Sequence, residues 1–120
     1  LSRAADAHPV PLQATRSETL GDTVVTGTYT IRREAELFKV SWGFSVTKNN
    51  RSGTGKGSMS LRLLDANGIT VFEATRTLTV GTNPLRPSSK KEVSGENLID
   101  QMAANVLFDV NAESDTSGIP

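Results

Sequence analysis

Few side chains in this sequence are of the kinds that do chemistry. The single histidine, His8, stands beside Pro9 with no cysteine and no second histidine to complete a metal site or a nucleophilic triad. Glu34 and Glu36 flank one alanine. Two carboxylates serve as acid and base only where their surroundings push their pKa values apart, and in an exposed turn both ionise. The run Gly-Thr-Gly-Lys-Gly-Ser at residues 53–58 fails as a phosphate loop. Lys56 is followed by Gly57 rather than Ser or Thr, and the run leads into a strand, not into a helix whose amino end holds phosphate. The sequence therefore predicts no catalytic residue, no metal site and no cofactor, and the chain is not expected to be an enzyme.

Binding is the expectation that remains. Lys48, Arg51 and Lys56 bring positive charge to what reads as one hairpin loop, but thirteen basic residues balance thirteen acidic ones, so the whole chain has no field that attracts nucleic acid. The loop also lacks the aromatics on which single strands stack. Nucleic acid is not the expected partner. A protein partner is, at a sheet edge or at the apolar residues Leu64, Ile69 and Val71 near the turn at Asp65–Gly68, because contiguous exposed apolar surface marks contact sites and edges offer unpaired amides. Arg62, Glu73, Thr28, Ser41, Ser45 and Thr75 belong to a polar, hydroxyl-rich face beside it. That face gives an alternative reading as a small glycan-binding or hydrolytic domain with Glu34, Glu36 or Glu73 as its carboxylates. A structural subunit of a larger assembly, including a homo-oligomer, is a third.

The elements that must position these residues are strands. In residues 23–33, Val25, Gly27, Tyr29 and Ile31 share one face and Val24, Thr26, Thr28 and Thr30 the other. In residues 37–48, Phe38, Val40, Trp42, Phe44 and Val46 alternate with Lys39, Ser41, Gly43, Ser45 and Thr47. Such strict alternation belongs to antiparallel sheets with one face on a core and the other in water. Residues 49–58, rich in Gly, Asn and Ser, read as a mobile loop. Met59, Leu61 and Leu63 then resume the apolar side, and Asp65-Ala66-Asn67-Gly68 is a hairpin turn. Phe72, Ala74, Leu78 and Val80 share one parity on the return, whereas Ile69 and Val71 have the other, which requires either a bulge or cover on both faces.

From Asn97 to Asp109 the rhythm changes. Leu98, Ile99, Met102, Ala103, Val106 and Leu107 follow the spacing of a helix with one apolar stripe, and Ser94 or Asn97 is placed to cap it. The expected fold is thus α+β: a four- to five-stranded antiparallel meander with one C-terminal helix packed on its aromatic face. The alternative is a small β-sandwich in which residues 97–110 supply a last strand. Residues 1–20 read as a flexible arm that Val10, Leu12 and Leu20 pin to the body, 21–110 as one globular domain and 111–120 as a frayed tail. If the strands form one meander, the hydroxyls of Thr26, Thr28, Thr30, Ser41, Ser45, Thr47, Ser58, Ser60, Thr75, Thr77 and Thr79 lie side by side.

At 36% hydrophobic residues the 120-residue chain has enough apolar surface for one core and too little for a membrane-spanning helix. The absence of cysteine removes disulfides and thiolates and is compatible with cytosol or envelope alike. The first residue is Leu1 rather than Met, which is expected of a processed or trimmed product. The phrase LRLLDANGITVFEATRTL resembles bacterial extracytoplasmic domains in which strand, Asp-x-x-Gly turn and strand recur. The likeness is confined to that phrase, implies an extracytoplasmic location and carries no functional residue.

Overall fold

A computed structural model describes residues 12–49 and 52–117 of the chain. They form a single small all-β domain of seven strands: β1 (Gln13–Leu20), β2 (Thr23–Glu34), β3 (Leu37–Lys48), β4 (Gly53–Leu64), β5 (Thr70–Thr82), β6 (Ser89–Ile99) and β7 (Asn105–Ser117). One sheet has the order β1-β2-β3-β6 and the other β5-β4-β7, and every pairing is antiparallel. The two sheets pack face to face as a β-sandwich.

The inward faces are those the alternation marks. Val25, Tyr29 and Ile31 of β2 and Val40, Trp42, Phe44 and Val46 of β3 are buried against Met59, Leu61 and Leu63 of β4, Ala74 and Val80 of β5, and Phe108 and Val110 of β7. Tyr29 and Phe108 meet edge to face across the sandwich, ring centroids 5.0 Å apart. This arrangement puts an aromatic edge against an aromatic face.

The expected C-terminal helix does not exist, and the α+β fold it belonged to is corrected to the sandwich alternative. Leu98 and Ile99 are consecutive residues at the end of β6, and a strand sends them to opposite faces: Leu98 is 54% exposed and Ile99 buried. Met102 and Ala103 lie in the connection that follows. Val106, Phe108, Val110 and Ala112 then alternate inward on β7 while Leu107 points out. Two strand ends and a connection thus reproduce helical spacing over residues 98–107. What covers Trp42 is the second sheet.

Three further segments differ from expectation. Gln13–Leu20, read as part of an arm, form β1, with Ile31 N donating to Leu12 O at 2.8 Å. Residues 111–117, read as tail, complete β7. Gly53–Ser58, read as loop, are the first half of β4, and Gly55 and Gly57 have a packing reason. A Cβ on Gly55 would run into Thr23, and one on Gly57 into Val25. At these two positions only hydrogen fits between the sheets. At Leu63/Leu64 the register of β4 with β5 shifts by a bulge, which resolves the parity change at Ile69 and Val71. His8, Val10 and Arg51 lie outside the described residues.

Candidate binding surfaces

The sandwich has two poles. Gly55 stacks over Thr23, Gly57 over Val25, and Met59 against Gly27, so β4 runs alongside β2 and their turns fall at the same end. One pole carries the β1–β2 turn, the β3–β4 and β5–β6 connections and the end of β7. The other carries the β2–β3 turn, the Asp65–Gly68 turn and residues 100–104.

The Asp65 turn is held by its own side chain. Asp65 Oδ1 accepts from Asn67 N and Ile69 N, both at 2.9 Å, while Gly68 N donates to Asp65 O at 3.0 Å with Gly68 at φ 82°. Asp at the first position and glycine at a positive φ are what such a reversal demands. The turn displays Ile69, 61% exposed. Leu64 is half-buried on the outer side of β4, and Leu107 of β7 is exposed two pairs along, opposite Arg62. Val71 instead turns partly toward the core. Leu12, Leu37 and Leu98 are exposed at the same pole, so it holds five of the seven large hydrophobic residues exposed among those described: Leu12, Leu37, Ile69, Leu98 and Leu107.

The hydroxyl groups do not form one surface. The sandwich puts Thr28, Ser41 and Ser45 on the outer face of the four-stranded sheet, and Arg62, Glu73 and Thr75 on the outer face of the three-stranded sheet, on the far side of the molecule. On the first face, cross-strand neighbours are hydrogen-bonded: Thr15 to Thr28 at 3.2 Å, Ser17 to Thr26 at 3.1 Å, and Ser41 Oγ donating to Glu96 Oε2 at 3.5 Å. Where Gly43 lacks a side chain the face dips into an open depression of about 430 Å³ between Thr26, Thr28, Ser45, Glu92 and Ser94. On the second face Glu73, Arg62 and Leu107 form one cross-strand row. Arg62 Nε is buried with no hydrogen-bond partner among the described residues.

The edges differ in character. The outermost residues of β6 include Lys90, Lys91 and Glu92, and such charge discourages pairing with another strand. Thr77 to Thr82 of β5, at the edge of the other sheet, carry no charge.

No protein-family model matches the chain, and comparison with curated proteins and with solved structures finds no match. The surfaces themselves must carry the reading.

The carboxylates singled out from the sequence are all exposed, Glu34 and Glu36 at the β2–β3 turn. Glu34 lies 3.5 Å from Lys39, which also reaches Glu96 at 3.8 Å, and Glu73 is on the opposite sheet. Among the described residues no group of His, Asp and Glu side chains is arranged to hold a metal ion. None of the helices that would be needed to cross a membrane is present among them either, which leaves strands aside.

One polar cluster escaped sequence reasoning. Lys48, expected to be a solvated loop cation, is fully buried, and its Nζ contacts Asp115 Oδ1 at a site where the Asp115 side chain is 4% exposed. Asp115 Oδ2 accepts from the backbone N of Asp22. The signal was present for one partner: Lys48 continues the inward series 38, 40, 42, 44, 46. Nothing in the polar segment around Asp115 announced the other.

Proposed function

We propose that the chain is a non-catalytic binding module that contacts a protein partner at the pole of the Asp65–Gly68 turn, within a bacterial envelope or secreted protein. The observation that carries this reading is the unequal distribution of exposed apolar side chains: Leu12, Leu37, Ile69, Leu98 and Leu107 ring one end of the sandwich. Scattered apolar exposure is ordinary, whereas clustering at one end is the mark of a contact surface. The turn beneath Ile69 is stiffened by Asp65, so a partner loses little by ordering it. The extracytoplasmic location rests on the strand, Asp-x-x-Gly turn, strand phrase.

The test is site-specific photo-crosslinking from position 69 and, as a control, from position 45 on the hydroxyl face, in extracts of the native compartment. A crosslinked protein obtained from position 69 alone, and lost when Leu107 is changed to Lys, supports the reading. Equal or no capture from both positions defeats it.

A second reading is favoured by the depression over Gly43, whose rim of Thr26, Thr28, Ser45 and Ser94 offers donors and acceptors to a glycan hydroxyl. The chain's one tryptophan and one tyrosine are buried, so this face has neither to stack on a sugar ring. Glycan binding that disappears in Thr28→Ala with Ser45→Ala would establish it over the first.

A further inference from the structure

The Lys48–Asp115 contact is built with more care than an ion pair requires. The inward series on β7 runs Phe108, Val110, Ala112, and its next member by strict alternation would be Ser114. Instead the register with β4 shifts: Ala112 pairs with Gly57, Ser114 with Lys56 and Asp115 with Gly55. A bulge at Glu113 thus re-aims the strand by one residue and turns Asp115 inward, a recurrent use of bulges. Space is cleared around it. A Cβ on Gly21 would overlap the Asp115 carboxylate, and Gly55 leaves room beside Thr23. Thr23 is the cross-strand partner of Lys48, is fully buried, and its Oγ1 has no hydrogen-bond partner among the described residues.

We propose that Lys48 and Asp115 condense to an intramolecular isopeptide bond, Nζ to Cγ, that ties β3 to β7. Condensation needs the neutral amine and the neutral carboxylic acid, and one proton passed within the contact supplies both. A proton passes from Lys48 Nζ to Asp115 Oδ1. The freed lone pair of Nζ attacks Cγ, and the electrons of the C=O bond move onto Oδ2. That oxygen already accepts the Asp22 backbone N–H, a donor aimed where negative charge develops. A proton then moves from Nζ to Oδ1. The Cγ–Oδ1 bond breaks and water leaves. Amine and acid give amide and water, with no oxidant, reductant or cofactor. Proximity supplies the driving rate, since well-oriented intramolecular reactions reach effective molarities of about 10⁵–10⁸ M.

The experiment is intact mass spectrometry of the denatured full chain, followed by proteolysis. The bond predicts a mass one water below the sum of the sequence, and a branched peptide joining the fragment with Lys48 to that with Asp115. Lys48→Arg and Asp115→Ala must each restore the full sum. Asp115→Asn would expel ammonia in place of water and arrive at the same mass as the wild-type product. A wild-type mass equal to the sequence sum overturns the proposal and leaves a buried ion pair. The wild-type measurement decides this without any variant having to fold.

Discussion

Gly57 of β4 lies flat against Val25 of β2: a Cβ at position 57 would run into both Val25 methyls and meet Val46 Cγ2 at 3.1 Å. The two sheets touch there through a residue with no side chain, and Gly55 and Gly57 are fitted to that contact rather than to a loop. Gly57→Ala is expected to destabilise the domain by about 1–3 kcal/mol, the usual cost of overpacking. Gly43 is the control. A Cβ there meets only Thr28 Cγ2 at 3.6 Å, ordinary contact, so Gly43→Ala should be neutral or stabilise by about 0.5–1 kcal/mol. Urea denaturation of the pair decides: equal effects would mean that the sheets are not close at this end.

The same glycines show where the sequence was legible and where it was not. Alternation placed Val25, Tyr29, Ile31 and the series from Val40 to Val46 correctly, because one buried face leaves an unambiguous period of two. It failed where a residue's neighbours come from the other sheet. Gly55 and Gly57 look like loop residues until Thr23 and Val25 are seen above them. Leu98, Ile99, Val106 and Leu107 look like a helical stripe until they are divided between β6 and β7, since short apolar runs do not distinguish the two periods. Of the binding candidates, Ile69 was legible as an apolar residue out of step with the return strand, whereas the separation of Thr28, Ser41 and Ser45 from Arg62, Glu73 and Thr75 follows from a topology that local pattern does not encode.

Arg76 points inward at the edge strand β5, and its guanidinium carbon lies 4.8 Å from the centre of the Trp42 ring in the opposite sheet. It closes the sandwich over the tryptophan. Arg76→Ala is expected to cost about 0.5–1 kcal/mol, the range for a cation–π contact near the surface. Trp42 is the only tryptophan and is 5% exposed, so its fluorescence should resist iodide in the wild type and become measurably more quenchable in the variant. Ready quenching of the wild type would contradict the burial on which the fold rests.

Asp65 satisfies two backbone amides with one carboxylate oxygen. Asp65→Ala leaves Asn67 N and Ile69 N to water and should destabilise the hairpin by about 1–2 kcal/mol, as hydrogen bonds to a charged group are worth more than neutral ones. Asp65→Asn keeps an acceptor and should lose less. Amide hydrogen exchange at residues 67–71 is the sensitive readout, and protection unchanged in Asp65→Ala would remove the case for a stiff turn at the binding pole.

Tyr29 makes stability depend on alkaline pH. Burial raises its pKa above the ordinary value near 10.0, with the Arg16 guanidinium opposing part of the rise. The folded state therefore keeps the phenolic proton at a pH where the unfolded chain has released it. The contribution of Tyr29 is present in full below the unfolded pKa and is lost as pH rises through the folded one. Denaturation midpoints measured from neutral pH to above the ordinary tyrosine range should fall more steeply for the wild type than for Tyr29→Phe. Because Tyr29 is the only tyrosine, phenolate absorbance reports it alone and should appear later in the native protein than in urea. Coincident titrations would show that the ring edge against Phe108 is reached by water, and with it the centre of the sandwich.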